Sequence, residues 1–325
     1  MTHPIKSSLQ GITLALSVMI ASSASVASEA VAIAEFKYPS AEAKVHVIRV
    51  LLEQRLGLKV SRSTGDHATF YSAMDRGKGD IDVHPEIWLP NQGDFKREYV
   101  DKKGTVALST KGYPVSQAFC VPKYFSEKHN VKSVFDLARP DVAKALDTRG
   151  KGKGEIWIGV PGWASANENH VKARDYGLLG FNEVVRSDVA VNLAALADAI
   201  KKKQGYAFYC MKPDQVWLQY DLVALTEPPF NPNCHKMVPA SQDPDWFNKS
   251  KVTCDGEQRT IRIGWSKSLE KRLPAATSLL AKIEFDPDSV TTMAYEIGVK
   301  KRDAGDVAKE WVSNNKKRVD GWFGM

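Results

Sequence analysis

Two tryptophans in this 325-residue chain stand outside any core-like rhythm. Trp88 lies in His84-Pro85-Glu86-Ile87-Trp88-Leu89-Pro90-Asn91-Gln92, just beyond the short strand expected at Ile81–Val83. Trp163 lies in Pro161-Gly162-Trp163-Ala164-Ser165, just beyond Glu155–Val160. A quaternary ammonium has no N–H to donate, and its natural partners are the negative faces of aromatic rings, at roughly 0.5–2 kcal/mol each. Next to Trp163, Ser165-Ala166-Asn167-Glu168 fits the S-x-x-E capping box, so Ser165 is expected to open a helix. The free N–H groups of that first turn, at 164–167, make an anion site. A ring beside an anion site suits a zwitterion. Glu86 and His84 could add charge for a cationic ligand, although a loop carboxylate commonly serves a nearby Lys instead.

The elements that position these residues alternate. A helical rhythm runs over Ala41–Leu56 and stops at Gly57; Leu58–Val60 reads as a strand, Thr69–Arg76 as a helix and Asp80–Val83 as a strand. From Ser116 the pattern repeats, with strands at Ala118–Val121, Glu155–Val160 and Ala207–Met211 and helices from Ser165 to Tyr176 and over Ala190–Lys203. Ile261–Gly264 is a further strand, and Pro274–Ile283 and Ala304–Asn314 are helices. This predicts an α/β chain of two lobes, each a mainly parallel sheet flanked by helices. Lobe one takes 29–115 plus 225–325, lobe two takes 116–224, and a ligand cleft lies between them. An independent C-terminal domain is the alternative. Both tryptophans then fall at the carboxyl ends of strands, where open α/β sheets bind ligands. Pro85 and Pro90 bracket Trp88 and predict a rigid loop there rather than strand.

Residues 1–28 read as a secretory signal, with Lys6 before the apolar run Gly11–Ala21 and small residues at Ser25 and Ala27. Ala30-Val31-Ala32 offers a second cleavage pattern. The apolar run is shorter than the roughly 20 residues of a bilayer span, so the mature chain is expected to be periplasmic and not membrane-spanning. The formal charge of +7 falls to +6 with the loss of Lys6, and its interspersed signs give no nucleic-acid patch. An oxidising compartment makes a Cys234–Cys254 disulfide plausible across a Pro- and Asn-rich loop. Cys120 and Cys210 sit in apolar runs and read as small buried hydrophobes. Paired short Cys/His spacings are missing, so no metal is expected, and no motif calls for a cofactor. Gly162-Trp163-Ala164-Ser165-Ala166 is not the G-x-S-x-G of a hydrolase; a periplasmic hydrolase is the weaker reading, and no enzyme activity is expected.

The run Gly79 to Pro90, Pro161-Gly162-Trp163, and the ending Ala308-Lys309-Glu310-Trp311 through Val319-Asp320-Gly321-Trp322 together resemble the glycine betaine/proline betaine-binding proteins of bacterial osmoprotectant ABC importers. The resemblance implies a type II periplasmic binding fold without chemistry of its own. Such a protein closes on a small zwitterionic or cationic ligand and hands it to ABC permease subunits, acting as a monomer. By position, Trp88 and Trp163 match two walls of an aromatic box, and Ala164 and Ser165 match its carboxylate-binding amides. The third wall falls on Met211, with Tyr209 or Trp217 as substitutes, and a carboxylate-binding His falls on Gln92. A box of this softer kind also fits choline, carnitine or a sulfonium analogue, and the same fold could serve a sensor.

Overall fold

The structure, a computed structural model, describes residues 1–3 and 30–325; beyond its first three residues, the signal segment read over 1–28 lies outside them. The first strand, β1 (Ala30–Glu35), buries Val31, Ile33 and Ala34 completely. Ala30–Ala32, read from sequence as a possible end of the leader, is therefore the start of the lobe-one sheet. Strand β1 lies between β2 (Lys59–Thr64) and β3 (Val83–Leu89) and runs parallel to both. A run apolar on both faces is what such a central position demands.

The remaining strands are β4 (Val106–Leu108), β5 (Tyr113–Pro122), β6 (Gly154–Gly159), β7 (Asn182–Arg186), β8 (Ala207–Lys212), β9 (Leu222–Ala224), β10 (His235–Lys236), β11 (Lys251–Val252) and β12 (Arg259–Ser266). One continuous path of pairing runs β2-β1-β3-β12-β5-β8-β6-β7. Parallel pairs occupy only its outer thirds, β2-β1-β3 and β8-β6-β7. The central pairs β3–β12, β12–β5 and β5–β8 are antiparallel, so each sheet is mixed rather than mainly parallel. Strands β5 and β12 enter without a crossover helix, and antiparallel pairing is open to a strand that arrives that way.

Strand β5 belongs to both lobes. Its Tyr113–Val115 end pairs with β12, and from Ser116 to Cys120 it pairs with β8. On the lobe-one side the helix Pro39–Leu56 packs on the sheet with the helices Pro287–Gly298 and Ala304–Asn314. Trp311 and Trp322 stack at 6.1 Å in this core. Lobe two has its own core around Phe119, Val134, Leu137, Ile156 and Leu178.

Three local readings change. Pro85 and Trp88 lie inside β3 rather than in a loop. The partner strand β12 shifts register between Arg262 and Gly264, opposite this proline, and a bulge is where a strand tolerates a missing N–H. Cys120 and Cys210 are not free: they form a disulfide with Cα atoms 5.8 Å apart. Strand register explains it, since Cys120 pairs with Phe208 and Cys210 with Ala118, which leaves the two cysteines as diagonal neighbours on one face. The helix beside Trp163 spans Ala164–Asp175 with Trp163 itself at the N-cap and no side-chain cap. Ser165 therefore does not cap it, and the capping box does not form; Glu168 is drawn into buried ion pairs instead.

Candidate functional site

A cleft of about 730 Å³ opens between the lobes. Trp88 is placed in it by the alternation of β3, which puts Glu86 and Trp88 on one face. The Trp88 indole N–H donates to Glu86 Oε2 at 2.8 Å, and the Tyr38 hydroxyl donates to the same oxygen at 2.8 Å. Lys44 is ion-paired with the other oxygen of Glu86, and its ammonium donates to the Tyr113 hydroxyl at 2.7 Å. Glu86 and Lys44 are sealed from solvent. Burial pulls the Lys44 ammonium below its ordinary value, against the opposing pull of Glu86. Burial and then the Glu86 charge push the Tyr38 hydroxyl well up, so it remains a donor.

Lobe two supplies the opposite wall. The Trp163 ring meets Tyr38 edge-on at 5.9 Å and Trp157 at 6.4 Å, so it is held from both lobes. Helix geometry leaves the first amides of the Ala164–Asp175 helix without internal partners. The Ala166 and Asn167 amides turn back to the Trp163 carbonyl, at 3.1 and 3.4 Å. The amides left for an anion are those of Ala164 and Ser165, both cleft-lining residues. Tyr209 and Met211 line the same cleft from β8, and Gln117 does so from β5, opposite Met211 in register.

The structure thus brings Trp88, Trp163, Ala164, Ser165, Gln92, Tyr209 and Met211 to one cleft. It does not bring Trp217 there. The Trp217 indole N–H donates to the Met211 carbonyl at 2.8 Å, with Lys212 over its ring, so it stands behind Met211. Glu86 lies beneath the rings rather than on the cleft, and His84 is wholly buried against His67. Gln92 has little left to offer: its amide donates to the Glu86 carbonyl at 2.9 Å while its oxygen receives the Tyr71 hydroxyl. The sequence reading missed Tyr38 and His67. Tyr38 follows β1, a strand the local reading did not pick out, and the aromatic pair Phe36 and Tyr38 before Pro39 was the available signal.

One edge of the cleft is the loop carrying Phe230, Pro232, Met237 and Val238. A disulfide joins Cys234 to Cys254 within it, Cα atoms 5.8 Å apart. This loop is fastened to the helix that follows Trp163. Glu168 accepts from Arg259 at 2.8 Å and lies 3.3 Å from His235 and 3.6 Å from Lys172. Lys172 and the Tyr176 hydroxyl both donate to Glu227. Burial alone would raise the Glu168 carboxyl, but His235, Arg259 and Lys172 outweigh it and hold the group far below the usual range.

Residues 29–314 match the family described as the substrate-binding domain of ABC-type glycine betaine transport systems. The chain belongs to this family. The glycine betaine/proline betaine-binding periplasmic protein of Salmonella typhimurium is 23% identical over 287 residues, covering 83% of this chain and 82% of that protein. Its counterpart in Escherichia coli is 21% identical over 287 residues, with the same coverage. Among solved structures, lactococcal OpuAC in its closed-liganded conformation with glycine betaine superposes with a TM-score of 0.69 at 22% identity, over 91% of this chain and 99% of that one. A choline-binding ABC-transporter protein in complex with choline gives 0.69 at 18% identity, over 91% of each chain. These likenesses establish a type II periplasmic-binding-protein fold, two α/β lobes flanking a cleft, for a substrate-binding transport protein. Among the described residues no group of three His, Cys, Asp or Glu side chains is placed to hold a metal ion.

Proposed function

We propose that the protein captures glycine betaine or a related quaternary ammonium compound in the periplasm and delivers it, as a monomer, to the permease subunits of an ABC importer. The observation that carries this reading is the meeting of Tyr38 and Trp88 from lobe one with Trp163 from lobe two, beside the helix N-terminus at Ala164 and Ser165. The rings suit a methylated cation that cannot donate a hydrogen bond, and the amides suit a carboxylate. A ligand touching both lobes favours the closed arrangement by its differential affinity for it.

Calorimetry with glycine betaine, proline betaine, choline and carnitine tests the reading. Trp88→Ala and Trp163→Ala are expected to abolish binding with the far-UV spectrum unchanged. Equal affinity in wild type and both variants would refute the aromatic site, and indifference to every methylated amine would refute the ligand class.

A further inference from the structure

Beside the rings, a pair of histidines can be assigned proton by proton. The Glu86 backbone N–H can only donate, and it points at His84 Nδ1 at 3.1 Å. That nitrogen therefore carries a lone pair, and the neutral His84 ring keeps its proton on Nε2. His84 Nε2 lies 3.1 Å from His67 Nδ1. The ring planes differ by 8° with centroids 5.2 Å apart, so the rings meet edge to edge across this contact. His84 donates, His67 Nδ1 accepts, and His67 in turn holds its proton on Nε2. Among the described residues nothing accepts from that N–H, and His67 lines the cleft.

The pair is held rigidly. His84 is inaccessible to solvent, and Phe36 packs on both rings at 4.9 and 5.2 Å while Phe70 stands edge-on to His84. A second proton on His67 Nδ1 would set two N–H groups against each other. Burial acts in the same direction, holding His67 down to about 4. A neutral donor has a specific use in this cleft. An ammonium or imidazolium would repel a cationic ligand head, whereas a neutral N–H can bond an oxygen of the same ligand without that cost. Gln92, a further side-chain donor lining the cleft, has one of its two N–H groups committed to the Glu86 carbonyl.

We propose that His67 Nε2–H is a ligand-binding donor, fixed in that tautomer by His84 and the Glu86 amide. It selects quaternary amines that carry an acceptor oxygen over bare tetraalkylammonium ions. This rests on the quaternary-amine reading of the cleft, and His84 acts in it as a positioning residue.

Two measurements on the full-length mature protein test it. Long-range proton–nitrogen correlation spectra at pH 7 read the tautomers directly, and the Nε2–H form is expected for both rings. Calorimetry then compares glycine betaine with tetramethylammonium in wild type, His67→Phe and His67→Gln. His67→Phe is expected to weaken glycine betaine by about 10- to 100-fold, the worth of a hydrogen bond to a charged group, and tetramethylammonium by no more than about twofold. His67→Gln, which keeps an N–H, is expected to retain most of the affinity. An Nδ1–H tautomer or an imidazolium in either ring overturns the relay. An unchanged glycine betaine affinity, or equal losses for the two ligands, overturns the selectivity. Wild type that binds neither compound removes the ligand class and this proposal with it, and the nitrogen spectra show whether the relay failed as well.

Discussion

Tyr38 and Trp88, which are fifty residues apart in sequence, end on a single atom: each donates to Glu86 Oε2 at 2.8 Å. One buried carboxylate thus sets the angle of two cleft rings at once, and Lys44 balances its charge from behind. Charge-assisted bonds of this kind are stronger than neutral ones, which suits rings that must stay oriented before a ligand arrives.

Glu86→Gln is expected to destabilise the fold by about 3–5 kcal/mol, because it leaves the buried Lys44 without its counter-charge. Adding Lys44→Met should recover part of that loss. Urea denaturation of the single and double variants measures both; a single variant within about 1 kcal/mol of wild type would show that the pair contributes little.

Met211 occupies a wall of the cleft with a side chain that has no π face. Met211→Phe is expected to tighten glycine betaine binding by about 2- to 30-fold, corresponding to one added cation–π contact of roughly 0.5–2 kcal/mol. Titration calorimetry gives the answer, and weaker binding would mean that the added ring blocks the cleft.

The disulfide between Cys120 and Cys210 closes a loop with a sequence separation of 90. Replacing both by Ala is expected to cost about 4.6 kcal/mol in the chain-entropy account. Peptide mapping without reductant should recover 120 linked to 210 and 234 linked to 254; free thiols at Cys120 and Cys210 in protein purified from the periplasm would contradict the assignment.

Acid should loosen the protein before the carboxylates titrate. Burial lowers His46 and His67 to about 4, and Arg62 and Arg49 add to the effect at His46. Their folded values lie below the ordinary 6.5, so the unfolded chain binds protons first and stability rises with pH. Each contribution is fully present above about pH 6.5 and is lost as pH falls towards 4, as much as ~3 kcal/mol per ring. Urea midpoints at pH 7.5, 5.5 and 4.5 should fall steadily, and a flat series would disprove this.

Much of the site was legible because it depends on local chemistry. Trp163 follows an apolar run and precedes a helix, and both signals are written in neighbouring residues. Where long-range pairing decided, local reading failed. Pro85 argued for a loop, and only the register shift in β12, far along the chain, lets it lie in a strand. Cys120 and Cys210 looked like buried apolar residues because their partnership exists only once β5 and β8 align. Tyr38 was missed because no neighbouring residue marks it: its orientation in the cleft comes from the carboxylate of Glu86, far along the chain, to which it donates. Glu168 matched a capping pattern, yet Arg259 and His235 from distant segments, with Lys172 one turn along the same helix, claimed it.

Strand β5, hydrogen-bonded to β12 at one end and to β8 at the other, joins the two halves as a shared spine. The pairing changes hands at the step from Val115 to Ser116, so the backbone torsions of that step bear on how the Tyr38 ring of one half meets the Trp163 ring of the other, at a distance from both rings.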